Sequence, residues 1–347
     1  GMGAVFLASH KRLPGKKVAA AVSLVAIGVY LIVSGAPPPA IRSAVTLSVA
    51  FLAILADRRA ITLHALAVAA LLVMAFQPEA VIQPGFQMSF SAAAALISLA
   101  EAWPRPAREI NTPWPLRLLQ GVATWTLAGF AASLVAGLAT SAFAIQHFNR
   151  VAVWGLPANL MLEPISTLVI MPALGLGALF EGLGLDGSWL LAIAGWGIRL
   201  MLDMARMVAG WPHASMTIAS APGFVLAISF LGLLWICLWR GQLRWLGLPF
   251  AFAVALWPRP PAPVGWIAAD GGGAGLVKAG QAVFLRPDAK QFASDLWARR
   301  RGLIQAKDAA AAEAAAKAEF DCNRIRCVTT SAITPRISAW WTRRKPS

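Results

Sequence analysis

Apolar residues run along this chain in long blocks separated by short polar, basic or proline-rich interruptions, a pattern that predicts helices of membrane-spanning length rather than strands. The blocks are residues 18–34, 40–56, 60–76, 86–100, 118–139, 189–209, 223–239 and 243–257. Several fall short of the roughly 20 residues that span a bilayer upright. A further stretch, 139–180, is apolar enough to enter a membrane but contains Pro157, Pro164 and Pro172, with Asn159 and Glu163 between the first two. Each proline removes an amide donor and clashes with the preceding turn, so the expectation is a broken span whose freed carbonyls face protein or water. Transporters commonly place their translocation sites at such breaks, which makes this the first candidate for function. The fold expected is an all-α polytopic membrane protein of about nine membrane segments over residues 1–257, one of them broken by prolines.

Residues 258–347 have a different pattern. Short strands are expected over 264–286, interrupted by Gly271-Gly272-Gly273 and Gly280, and helix over 292–320 with an alanine-rich part at 309–318. The tail therefore reads as a small α+β extramembrane region.

Composition sharpens the class. At 58% hydrophobic and 13% charged over 347 residues, with a mean hydropathy of +0.66, the chain is too apolar for a soluble domain. The formal net charge of +15 gathers between the apolar blocks and in the tail, so it reports topology before ligand binding. If the broken region crosses once, Lys11, Arg12, Lys16, Lys17, Arg58, Arg59, Arg105, Arg108, Arg117, Arg240 and Arg244 share one side, with Arg42 and Arg150 opposite. Positive residues in short loops are retained in the cytoplasm, which favours a cytoplasmic start. A re-entrant hairpin at 152–180 would invert everything downstream. The opening Gly1, with no cleavable signal peptide and a short apolar scrap at 2–8, reads as part of something longer.

Four clusters carry candidate chemistry. Pro84-Gly85 opens a helix bearing Gln87 and Ser89, where first-turn amides suit an anion; an ordinary capped helix start fits the same residues. Gln146, His147, Asn149 and Arg150 follow Thr140 and Ser141, and such a mouth would guide a single strand by stacking on Phe148 and pairing a phosphate with Arg150; a wet interfacial loop looks identical. Glu163, inside a span with Asn159, requires a partner or water. Arg199, Asp203 and Arg206 lie at i, i+4 and i+7, one helical face, which is expected to line a bundle interior or polar cavity unless it locks helices together or lies in the interface. Repulsion of phosphates by Glu163 and Asp203 predicts pairing of at least one of these acids with an arginine.

There is no phosphate-binding P-loop and no paired metal-ligand motif, and no histidine follows His213. No enzyme activity, cofactor or metal is expected. Cys322 and Cys327 read as incidental thiols or one small disulfide.

These residues carry a resemblance. SGAPPPAIRSAV, LADRRAITL, PGFQMSF, ATSAFAIQHFN and PANLMLEP followed by MP resemble, in order, the competence-related membrane domain of the ComEC family over residues 18–248. More loosely, 264–303 and 320–328 resemble remnants of the metallo-β-lactamase-like domain many members carry, without its histidine-rich motif, so nuclease activity does not transfer. The resemblance implies a multi-pass channel component of the bacterial inner membrane that admits transforming DNA as a single strand. It implies an extracytoplasmic DNA receptor and a cytoplasmic ATP-driven helicase or translocase as partners, and leaves homo-oligomers open. The residues it favours are Gln87, Ser89, His147, Asn149, Asn159 and Glu163. A non-transporting remnant serving as scaffold, and a proton-coupled permease using Glu163 and Asp203, are the alternatives.

Overall fold

The structure is a computed structural model describing residues 15–103, 113–259, 261, 263–268, 273–288, 291–306, 309–322 and 327–329. Lys11, Arg12, Arg105, Arg108, Gly271 and Gly272, among the residues weighed above, lie outside the described residues.

Helix α1 (Gly15–Ser34) ends where Gly35 and Ala36 take positive φ values of 71° and 50°. Their amides turn back onto the Ile32 and Leu31 carbonyls at 3.3 and 3.0 Å, closing the helix end. Pro38 then starts α2 (Pro38–Leu55), where its missing donor has no consequence. The two helices pack as a hairpin whose base is joined by Lys17 Nζ to Asp57 Oδ2 at 2.6 Å. Thr62 caps α3 (Leu63–Phe76) by accepting from the Ala65 amide at 3.1 Å. A 3-10 turn at Pro78–Ile82 leads into α4 (Pro84–Ala102). Next come α5 (Trp114–Phe148), the short strand β1 (Arg150–Ala152), α6 (Gly155–Ile165), a π-helical turn at Ser166–Ile170, and α7 (Met171–Gly182). Helix α8 (Ser188–Ala209), β2 (Ser215–Thr217), α9 (Gly223–Leu238), a 3-10 turn at Gln242–Leu246, and the short α10 (Gly247–Ala251) and α11 (Ala253–Leu256) follow.

The tail supplies β3 (Gly265–Ile267), β4 (Ala274–Lys278) and β5 (Gln281–Phe284), an antiparallel sheet in that order. After them come α12 (Gln291–Arg300), α13 (Ala309–Glu319), and a β6 (Phe320–Cys322)–β7 (Cys327–Thr329) hairpin that pairs Cys322 with Cys327 in register.

Among the described residues, five helical runs are long and apolar enough to cross a membrane: α1, α2, α5, the run Gly155–Gly182 and α8. Five such runs do not confirm the expected count of about nine. At 14 and 16 residues, α3 and α9 rise only about 21 and 24 Å, short of the ~30 Å hydrocarbon core. The expected ninth segment, 243–257, is no single helix but a 3-10 turn followed by α10 and α11.

A second correction concerns the proline-rich region. The chain breaks at 149–154, before the prolines, and Gly155–Gly182 runs in one helical direction, which removes the re-entrant alternative. Pro157 falls in the first turn, where amides have no helical acceptor. Pro164 and Pro172 bracket the π turn, in which the Met171 amide reaches the Ser166 carbonyl five residues back. The wider turn takes up the hydrogen-bond register that Pro172 disrupts.

The chain forms two compact units, one of Gly1–Phe143, Trp154–Val208 and Ala227–Ala253, the other of Ala144–Val153, Ala209–Leu226 and Val254–Ser347. In the first, small residues make the core: Leu66, Ala94, Ala95, Ala139 and Cys237 meet, with Phe90, Val135 and Leu233 around them. Large side chains such as Ile32, Val33 and Phe76 are 83%, 81% and 80% exposed. Small residues inside and large apolar ones outside is the arrangement of helices solvated by lipid. In the second unit, Ala282, Ala298 and Leu303 pack under Phe284 and Trp297, with Trp266 edge-on to Phe284 at 6.0 Å.

Candidate nucleic-acid interface

The start of α4 is less open than its sequence implies. The Phe86 and Gln87 amides already donate to the Gln83 carbonyl at 3.1 and 3.2 Å, and the Gln87 side chain donates to the Val81 carbonyl at 2.8 Å. Pro84 has no donor, so Gly85 is what remains of the first-turn anion capacity. The Arg42 guanidinium lies close enough to Gly85 that a Cβ there would stand 2.8 Å from Nη2. That contact adds positive charge to the positive end of the helix. Ser89 is exposed one turn further on.

Helix α5 continues nine residues past the expected end at 139 because Thr140 and Ser141 satisfy their hydroxyls on the Ala136 and Leu138 carbonyls, at 2.9 and 2.7 Å. Gln146 and His147 are therefore helical, not part of a loop. Gln146 clamps Ala221 from both directions, Nε2 donating to its carbonyl at 2.8 Å and Oε1 accepting from its amide at 3.2 Å. Asn149 is buried with φ +58°. Its Nδ2 donates to the Ile218 carbonyl at 3.0 Å and the Ser220 hydroxyl at 2.8 Å, while its own carbonyl accepts from the Ile218 amide at 2.9 Å. These groups are committed to holding 218–221 beside the helix end. Arg150 stands opposite Thr217 in the β1–β2 ladder and is exposed, as is Phe148.

On α6, Asn159 and Glu163 are one turn apart and both exposed; Asn159 Nδ2 reaches the Ser133 hydroxyl at 3.4 Å. Among the described residues no hydrogen bond or ion pair reaches the Glu163 carboxylate, whose residue contributes its backbone carbonyl to the Ser166 amide.

Helix α8 is the amphipathic element of this set. Glu181 Oε1 accepts from the Gly187 amide at 3.1 Å and Asp186 Oδ1 from the Ser188 amide at 2.9 Å, fixing its start. Its face of Leu190, Ala194, Gly197 and Val208 is buried, Gly197 lying so close to the π turn that a Cβ would meet Ile170 Cγ1 at 2.9 Å. Arg199, Asp203 and Arg206 occupy the opposite face and are exposed. Asp203 Oδ1 pairs with Arg206 Nη1 at 2.9 Å, an acid–arginine pair of the kind expected, whereas Glu163 forms none. Within its unit this face looks outward rather than into a bundle interior, because the small-residue face is the one that permits close helix packing.

Gln87, Ser89, Asn159, Glu163, Arg199, Asp203 and Arg206 thus belong to one unit, and Gln146, His147, Asn149 and Arg150 to the other. Arg42 is the residue missed from sequence; its position in a turn-proximal helix carried no signal beyond its charge. Among the described residues no three His, Cys, Asp or Glu side chains come together as a metal-binding group.

The family model for competence proteins matches residues 1–243, well over half of the chain. The chain belongs to the competence-protein family. ComE operon protein 3 of Bacillus subtilis (strain 168) is 24% identical over 187 residues, 52% of this chain and 22% of the relative. The chain therefore spans about a fifth of that curated relative's length. No solved structure matches significantly. Family membership and the five apolar runs together make this competence protein a membrane protein.

Proposed function

We propose that this chain is a multi-pass component of the bacterial plasma-membrane passage through which DNA enters during natural transformation, the DNA moving as a single strand. The observation that carries the reading is the ionised outer face of α8. A charged residue at the centre of a span costs about 2.5–3.5 kcal/mol on insertion scales, and Arg199, Asp203 and Arg206 stand on a run long enough to cross. Such a face belongs against water or a membrane partner rather than lipid, and with one acid neutralised it keeps a net positive charge toward a polyanion. Asn159 and Glu163 add hydrogen-bonding capacity on α6, and Arg42 at the α4 start adds a second cationic point.

In this reading the chain is a conduit without chemistry of its own. Direction comes from a cytoplasmic ATP-driven translocase, and DNA is handed over by an extracytoplasmic receptor. Gln146 and Asn149 shape the conduit rather than touch its cargo. In a naturally competent host, Arg199→Ala and Asn159→Leu are expected to lower transformation frequency at least about tenfold with protein levels unchanged, as loss of a charge-assisted contact would. Unchanged frequency in both variants would reject the conduit and favour a non-transporting scaffold.

A further inference from the structure

A cavity of about 410 Å³ lies within the first unit, between α4, α5 and α9 and beneath the turn that leads to α10. Its walls are apolar and small-residue-rich, Ala95, Leu99, Ala139 and Leu233 among them, and its rim includes Leu138, Trp245 and Leu248, which are 47%, 58% and 37% exposed. The size falls in the about 300–1,000 Å³ range of sites for small organic ligands. A lining this apolar suits hydrocarbon better than a hydrated nucleic acid strand.

One cation enters this wall. Arg244 lines the cavity, and its polar contacts are weak. Nη2 reaches the Ser98 hydroxyl at 3.5 Å, and Nε is buried with no hydrogen-bond partner. Ser98 in turn contacts the Cys237 carbonyl at 3.4 Å. Both distances lie beyond the 2.7–3.2 Å of a good hydrogen bond. A guanidinium offers five donors in a fork matched to a carboxylate or phosphate, and leaving the buried Nε among them without a partner is costly. The nearby carboxylate is taken, since Glu101 pairs with Arg240 at 3.3 Å.

The surroundings specify the kind of anion. Trp235 and Trp239 stack at 4.3 Å, Trp235 Nε1 donates to the Leu243 carbonyl at 3.0 Å, and Arg244 sits 5.5 Å from the Trp245 ring. Tryptophans interleaved with arginines mark the headgroup level of a bilayer. A cation at that level with an apolar slot running inward from it complements an amphiphile. We propose that the cavity binds an anionic diacyl phospholipid, its phosphate on Arg244 and one acyl chain among α4, α5 and α9.

The test uses the full chain purified in mild detergent, with phosphatidylglycerol or phosphatidylcholine titrated in and bound lipid counted by native mass spectrometry. Phosphatidylglycerol is expected to bind about tenfold tighter than phosphatidylcholine, the discrimination one charge-assisted contact provides. Arg244→Gln abolishes the preference. Arg58→Gln, altering an exposed cation on a separate loop, leaves it within about twofold. Ala142→Leu, which fills the slot, weakens both lipids alike. Soluble glycerol phosphate and inorganic phosphate do not displace the lipid. The proposal is overturned if the two lipids bind equally, if Arg58→Gln and Arg244→Gln weaken binding alike, if the soluble phosphates compete as well as the lipid, or if lipid is excluded by a second copy of the chain. Should Arg244→Gln fail to give monodisperse protein, undiminished phosphatidylglycerol binding by Ala142→Leu overturns it instead.

Discussion

Asn149 ends α5 in the left-handed conformation, with its amide bonded to the Ile145 carbonyl at 3.0 Å and its side chain to Ile218 and Ser220. Asparagine tolerates this backbone better than any residue but glycine because its short polar chain can bond locally. Asn149→Ala removes two hydrogen bonds, each worth about 1 kcal/mol net, and adds about 1 kcal/mol of left-handed strain. Asn149→Gly removes the bonds but not the favourable backbone. The unfolding midpoint in detergent is expected to fall in both, further in Asn149→Ala; equal midpoints would mean the φ value carries no strain. Sequence reading singled out Gln146 and Asn149 as polar residues in an apolar stretch, which they are. Their partners, 69 to 75 residues away in the chain, left no local trace, so whether they serve cargo or fold was not legible from spacing.

At the scale of elements, two close approaches govern how helices meet. A Cβ on Gly232 in α9 would lie 2.3 Å from the Ala251 amide nitrogen, and one on Gly247 would lie 2.6 Å from the Gly232 carbonyl. Backbone meets backbone here, with no flexible side chain to yield. Gly232→Ala is therefore expected to force α9 from α10 and lower the yield of monodisperse protein, while Gly28→Ala, where a Cβ meets nothing within 4 Å, changes little. Size-exclusion profiles of the two variants decide it.

The helix of Gly155–Gly182 shows why proline spacing misleads. Proline forbids one hydrogen bond rather than a helix: the wide turn absorbs Pro172, and Pro164 costs only the bond to the Leu160 carbonyl. Because the wider turn makes room for Pro172, deleting Thr167 returns the segment to α geometry and sets the proline ring against the carbonyl four residues back. Inserting one alanine there rotates α7 by about 100° relative to α6. Thermal stability is expected to fall in both, and adding Pro172→Ala is expected to recover it in the deletion but not in the insertion. The apolar blocks themselves were read correctly where periodicity and length agree, as in α1, α2 and α8. They were misread at 243–257, where Gly247 and Pro249 divide an apolar run that hydropathy alone treats as one.

For the whole molecule, the charge asymmetry becomes a statement about sides of a membrane. With the run Gly155–Gly182 crossing once, the turn at Ala36 and strand β1 are expected on one side and Arg59, Asp186 and Arg240 on the other. Single cysteines at Ala36 and Asp186, in a background with the native thiols replaced, are expected to react with an impermeant reagent from opposite faces of sealed cells and inverted vesicles. Labelling of both from the same face would overturn the orientation.

The bridge from Lys17 to Asp57 has a consequence for biogenesis. The acid is synthesised 40 residues after its partner, so the latch cannot shut until the second helix has emerged. Once shut, it cancels one of the cations that the charge pattern expects to hold that end of the first helix on the cytoplasmic side. Early orientation thus relies on full positive charge, and the finished hairpin is held by an electrostatic clasp that forms only when both arms are in place.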